Sequence, residues 1–136
     1  MFMNQQNSAE RYQQAQFTTA NRGQILLLML DGALRFLGQA EGALRGNRLE
    51  EFGDRLGRAQ AVIAELLHTL DHKAGGEIAR ELDRLYRFML EHLVAANVQK
   101  SPRHVAEVSH LMSIIAGSYR EILANGLAQL GTRNAA

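Results

Sequence analysis

Between positions 49 and 70, Leu49, Phe52, Leu56, Ala59, Ile63, Leu66 and Leu70 recur at spacings that alternate between three and four. That rhythm lays one apolar stripe along an α-helix of about 33 Å. Such a helix has little stability of its own in water, because each ordered residue costs conformational entropy that only packing of the stripe offsets. The chain must therefore supply other helices for this one to lie against. It holds a single proline, Pro102, and no stretch alternates apolar and polar residues as a half-buried strand would. An all-α fold follows.

Caps and breaks divide the rest. The first helix is expected from Asn21, whose side chain can cap while Gln24, three residues on, reaches back in a capping box. It should run to about Arg45 and stop at Gly46. "NRLE" repeats the device with Asn47 as cap and Glu50 as its partner, so the second helix starts almost at once. The paired glycines Gly75 and Gly76 mark the turn after it. Ile78, Leu82, Leu85, Met89, His92 and Ala96 outline a third helix, and Ser101 followed by Pro102 gives a cap with proline at the first helical position. Val105, Val108, Met112, Ile115, Tyr119 and Ile122 form the stripe of the fourth.

Short links favour antiparallel neighbours, so the expected architecture is an antiparallel up-down-up-down four-helix bundle over residues 21–130. Residues 1–20, rich in Gln, Asn, Ser and Thr, form an N-terminal extension that is mobile or loosely docked, and residues 131–136 form a frayed tail.

Composition narrows the function. With 46% hydrophobic and 21% charged residues, the 136-residue chain is built like one globular domain. A formal charge of +1 gives no basic footprint for nucleic acid. No Lys/Arg run would anchor it to a membrane surface. The first residues lack a basic segment followed by an apolar one, so no secretory signal is expected. No apolar run approaches the roughly 20 residues of a membrane span, which argues against membrane insertion. The absence of cysteine excludes disulfides and thiolate metal sites and is compatible with a reducing cytoplasm.

The run "ILLLML" from Ile25 to Leu30 is harder to place. Successive helical residues turn by about 100°, so six apolar residues in a row cover nearly the whole circumference and cannot all face one core. Ile25, Met29, Ala33, Phe36 and Ala40 define the expected bundle face, with Leu26, Leu37 and Leu44 on its flank. Leu27, Leu30 and Leu34 then make a second stripe roughly 100° away. Leu111 and Ile114 on the fourth helix and Phe88 on the third also lie off their main stripes. These six residues are candidates for a groove that receives another amphipathic helix, although a small bundle with wide core faces would absorb them equally well. Surplus apolar surface also allows a weak homodimer beside the monomer. Seven glycines inside helices, Gly32, Gly38, Gly42, Gly53, Gly57, Gly117 and Gly126, are read as sites of close helix packing.

A ferritin-like metal bundle is the rival from another class, with a generic helical regulatory protein as a third possibility. Glu65-x-x-His68 and Glu107-x-x-His110 have the spacing of di-iron carboxylate bundles, and Glu41 and Glu91 are available to complete the set. However, Glu65 and His68 lie roughly 150° from the Leu49-to-Leu70 stripe, and Glu107 and His110 more than about 100° from theirs. They should face solvent. His68 and His72 are two ligands without further partners. No Ser/His/Asp or Cys/His set can be assembled and the Gly75–Gly76 pair lacks a phosphate-loop pattern, so neither an enzyme nor a cofactor is expected.

Three blocks resemble the FliS family of flagellar export chaperones: "YQQAQFTTANRGQILLLMLDGALRFL" at 12–37, "GGEIARELDRLYRFMLEHLVAAN" at 75–97 and "VAEVSHLMSIIAGSYREI" at 105–122. In the second block Leu85, Tyr86, Met89, Leu93, Ala96 and Asn97 stand at the family's places. Asn21 and Arg22 replace its usual Ser-Pro, Tyr119 replaces a common tryptophan, and Glu91 with His92 replaces a basic pair. The resemblance implies a cytoplasmic bundle that binds the disordered C-terminal segment of flagellin, prevents its premature polymerisation and helps deliver it to the flagellar type III export gate. It further implies that Tyr12, with Phe17, docks on the bundle until client displaces it.

Overall fold

The computed structural model describes the backbone of residues 2–135 and the side chains of residues 22–126. Four helices follow one another: α1 (Phe2–Arg45), α2 (Leu49–His68), α3 (His72–Gln99) and α4 (Pro102–Ala135). α1 packs on α2 and α4, and α3 packs on the same two, which closes an up-down-up-down ring with α1 diagonal to α3. The backbone passes through Asn21 as helix. No proline or glycine precedes Gly23, so nothing enforces the break that a cap at Asn21 requires.

Each link is made by local chemistry. Asn47, expected to cap α2, instead ends α1. It adopts the left-handed conformation (φ 57°) that asparagine tolerates. This lets the Arg48 amide bond to the Ala43 carbonyl at 2.8 Å and the Asn47 amide to the Leu44 carbonyl at 3.1 Å. Arg48 then leads into α2 with no side-chain cap. At α3 the Asp71 carboxylate accepts the Lys73 and Ala74 amides at 3.1 and 3.0 Å, holding one helical turn. Gly76 (φ 52°, ψ −123°) breaks that turn with a backbone conformation closed to side-chain-bearing residues, in line with the expected turn. Lys100 (φ 51°) ends α3, and Ser101 Oγ accepts the His104 amide at 3.3 Å, capping α4 ahead of Pro102.

The core runs along the ring's axis. α2 contributes Phe52, Leu56, Ala59, Ile63 and Leu66, as its stripe requires, and α3 contributes Ala79, Tyr86, Met89, Leu93 and Ala96. From α4 come Val105, Val108, Met112 and Ala116. Stripe ends at Leu49, Ile78 and Ile122 are exposed, because the ring no longer covers them beyond its two rims. α1 departs most from expectation. Its buried set is Leu30, Ala33, Leu37, Ala40, Ala43 and Leu44, with Leu26 packed against it, whereas Ile25 is 54% exposed. The core face is thus rotated from the expected one, and Leu30, placed in a second outward stripe, is 1% exposed.

The helical glycines also correct an expectation. A Cβ at Gly38, Gly42, Gly53, Gly57, Gly117 or Gly126 would meet nothing within 4 Å, so close packing does not explain them. Gly23 is the position where helices do approach closely, with Leu123 Cδ2 of α4 2.7 Å from its would-be Cβ.

Candidate protein-binding surface

Two apolar depressions open at the end of the bundle that carries the "ILLLML" run. The first is a shallow groove of about 410 Å³ between α1 and α2. Ile25, Leu28 and Met29 form one wall, Ala61 and Val62 the other, with Gly32 along the floor and Glu65 at the end. Because Gly32 and Ala61 are small, the side chains on either side stand proud of the floor. Leu28 is 70% and Ile25 54% exposed, in contact with water that a partner would displace. Burying one such side chain contributes roughly 1.5–3 kcal/mol.

The second depression, about 390 Å³, lies at the bundle's end. Leu26 and Leu30 of α1, Leu66 of α2, and Ile78, Leu82 and Tyr86 of α3 line it, with Tyr119 of α4 and Arg22 at its margin. Burial pushes the Tyr86 phenol up to about 12, and the neighbouring Tyr119 adds to the effect. Tyr86 therefore stays uncharged further into the alkaline range than a free tyrosine does. Leu30 serves both as core and as the cleft's floor.

The other proposed residues fall into distinct places. Leu27 and Leu34 are half-buried and share a side of α1 with Asp31, whose carboxylate meets Arg120 of α4 at 2.8 and 3.0 Å. That side faces α4, so Leu27, Leu30 and Leu34 make no common outward stripe. Phe88 is 45% and Ile114 53% exposed, and Leu111 is partly buried against the core. His92 Nε2 donates to Glu107 at 3.1 Å across α3 and α4. The antiparallel register this sets brings Phe88 opposite Leu111, one turn along each helix. The side chains of Tyr12 and Phe17 lie outside the described residues.

The same register explains the charged groups. Phe88, His92 and His104 stack in sequence with ring centroids 5.0 and 4.3 Å apart. Glu107 also accepts from Arg103 at 3.0 Å. Desolvation pushes the Glu107 carboxyl up, but hydrogen bonds from His92 and Arg103 outweigh it and hold the group below the usual carboxylate range. Glu65, His68, Glu107 and His110 are all exposed, on the diagonal helices α2 and α4. They point outward and do not converge as a metal site would need. Among the described residues no group of three or more His, Asp or Glu side chains could hold a metal, and no helix is long and apolar enough to cross a membrane.

Residues 4–126 match the model of the flagellar protein FliS. The chain belongs to the FliS family. A flagellar secretion chaperone FliSB of Pseudomonas aeruginosa is 38% identical over 107 residues, 76% of this chain and 85% of its own length. Flagellar secretion chaperones FliS of Vibrio cholerae and Bacillus subtilis are 30% and 28% identical, over 79% and 87% of this chain. The matched span of the FliS family takes in both apolar depressions and the α3/α4 ladder.

Within this FliS chain, sequence reasoning missed Ile25, Leu28, Met29, Gly32, Ala61 and Val62 as groove residues. A signal was available. Leu26, Leu30, Ala33, Leu37, Ala40 and Leu44 alternate four and three without a break and hold four leucines, a length and leucine content that no other apolar series of that rhythm through the run combines. The leucine-rich series gains most from burial, and Ile25 and Leu28 are then left on the outer side with Met29 half-buried between.

Proposed function

We propose that this protein is a cytoplasmic export chaperone that holds the C-terminal segment of flagellin as an amphipathic helix in the α1/α2 groove. The observation that carries the reading is the pairing of exposed Ile25 and Leu28 with the low floor at Gly32 and the small Ala61 of the facing wall. Projecting side chains beside a hollow suit the apolar face of a helix, whose anchors repeat at three and four residues. Terminal segments of a filament protein polymerise through such faces, and a chaperone that covers them non-covalently prevents premature assembly and keeps the segment ready for the flagellar type III export gate. No covalent step and no nucleotide is required.

The end cleft would receive a bulky side chain near one end of the bound segment, over Leu30. Phe88, Leu111 and Ile114 offer a further apolar strip on the opposite side of the ring for a client that wraps around it. Tyr12 and Phe17 would compete for the client site, so that removing residues 1–18 tightens or speeds client binding.

Calorimetric titration with a flagellin C-terminal peptide tests the reading. Leu28→Asp should abolish the binding isotherm with helicity retained, whereas an unchanged isotherm would refute the α1/α2 groove. Leu30 does not serve for this test, since its burial couples the substitution to folding.

A further inference from the structure

Residues 72–75 make a single helical turn set apart from the rest of α3. On one side stand Leu70 and Asp71, which are not helical, and on the other Gly76, at φ 52° and ψ −123°. Every residue from Asp71 to Gly75 is exposed, so the turn carries no core side chain. It nevertheless forms a wall of the end cleft, through Asp71, Ala74 and Gly75. Bonds from the Lys73, Ala74 and Gly75 amides to Asp71 keep it in shape as a unit. Among the described residues, one side-chain contact ties it to the body of α3, His72 Nε2 to Asp83 at 3.5 Å. We propose that this turn is a lid on the end cleft, which swings about Leu70 and Asp71 at one end and Gly76 at the other to admit a bulky apolar side chain and closes over it, with His72 and Asp83 as the catch.

The two glycines at the hinge serve the closed position. A straight α3 needs neither, since glycine is a poor helix former, whereas the closed turn needs both. Gly76 supplies a backbone conformation closed to other residues, and a Cβ there would meet nothing within 4 Å, so the requirement is one of conformation alone. Gly75 lets the turn lie against Ala79, whose Cβ is 2.8 Å from the place where a Cβ of Gly75 would stand. Ala79 lines the cleft yet is 3% exposed beneath this contact. The catch has a fixed half and a moving half: Arg87 holds Asp83 at 2.6 Å on the body of α3, and His72 travels with the turn. A segment with so few buried contacts opens locally at small cost while the rest of the fold stays intact. Ile78, just past the hinge and 72% exposed, offers apolar surface that an entering side chain covers.

The swing of the lid belongs to the chain alone, whereas its closing over a client rests on the client reading of the end cleft. Because the chain has no cysteine, an Ala79→Cys thiol reports the space under the lid, and an Ala59→Cys thiol, at a core position that is 0% exposed, reports global unfolding. Iodoacetamide should alkylate the first faster than the second. His72→Ala should speed the Ala79→Cys reaction about two- to fivefold, the worth of one exposed contact, and Gly76→Ala about tenfold. Each rate is taken relative to Ala59→Cys in the same background, so a general loss of stability does not imitate lid opening. Equal rates at the two thiols, or a ratio that either variant leaves unmoved, overturns the lid. With the flagellin C-terminal peptide bound, as read by calorimetry, the Ala79→Cys thiol should be protected, and an unprotected one overturns the closing over a client. A peptide that does not bind at all is instead a failure of the client reading, and the rates measured without peptide still decide the lid.

Discussion

Leu28 and Leu30 are two residues apart in one apolar run, yet 70% and 1% exposed, and truncating each to alanine separates surface from core in a single pair of measurements. Leu30→Ala removes about three carbons' worth of buried apolar group, about 2.4 kcal/mol of transfer free energy, and leaves a cavity between α1, α2 and α3 that adds to it. The expected loss is about 3–4 kcal/mol, a large part of the roughly 5–15 kcal/mol that holds a domain folded. Leu28→Ala removes a side chain already mostly in water, so the loss should stay within about 0.5 kcal/mol. Urea titration followed by circular dichroism reads both. With a denaturant slope of roughly 1.5–2 kcal/mol/M, the Leu30 variant's midpoint should fall by about 2 M and the Leu28 variant's by a few tenths. Equal shifts, or a larger one at Leu28, would refute the rotational setting of α1 and with it the groove.

Two further outcomes follow from the backbone and from titration. Alanine at Gly38, Gly53 or Gly57 gains helix propensity and meets no neighbour, so each should raise stability by roughly 0.5–1 kcal/mol, seen as a higher Tm; a drop would mean that these faces are covered in solution. The Tyr86 phenol rises from its ordinary 10.0 to about 12 in the folded chain, so the fold favours the neutral form. Its contribution is complete below pH 10 and is lost as the pH rises towards 12, where the unfolded chain has already released the proton. Tyr86→Phe should flatten that decline in alkaline denaturation curves, and an unaltered curve would contradict the burial argument.

Much of the fold was legible because its signals are local. The α2 stripe from Phe52 to Leu66 needed only the three-four rhythm, and α2 shows its core face clearly because few large apolar residues, Val62 and Leu67, lie off that stripe. Ser101–Pro102 was readable as a cap and first turn because both depend on adjacent backbone groups. Asn47 was misread because asparagine serves equally at a helix start and in the left-handed position after a helix end, and the choice turns on which neighbouring carbonyls are within reach. At the candidate site, exposed Phe88 and Ile114 were legible as apolar residues off their stripes, whereas Ile25 and Leu28 were not, since a run apolar on every side offers no contrast from which to choose a face.

The sequence alone determined the helices, their number and order, and that α1 holds more apolar side chains than one face can take, because period and turn chemistry act over a few residues. Only the tertiary structure decided the rotation of α1 about its axis. That angle is set by the joint packing of Leu30, Leu37 and Leu44 against α2 and α4, a balance between partners distant in the chain, and it is this balance that leaves Leu28 beside Gly32 and Ala61 as an open groove.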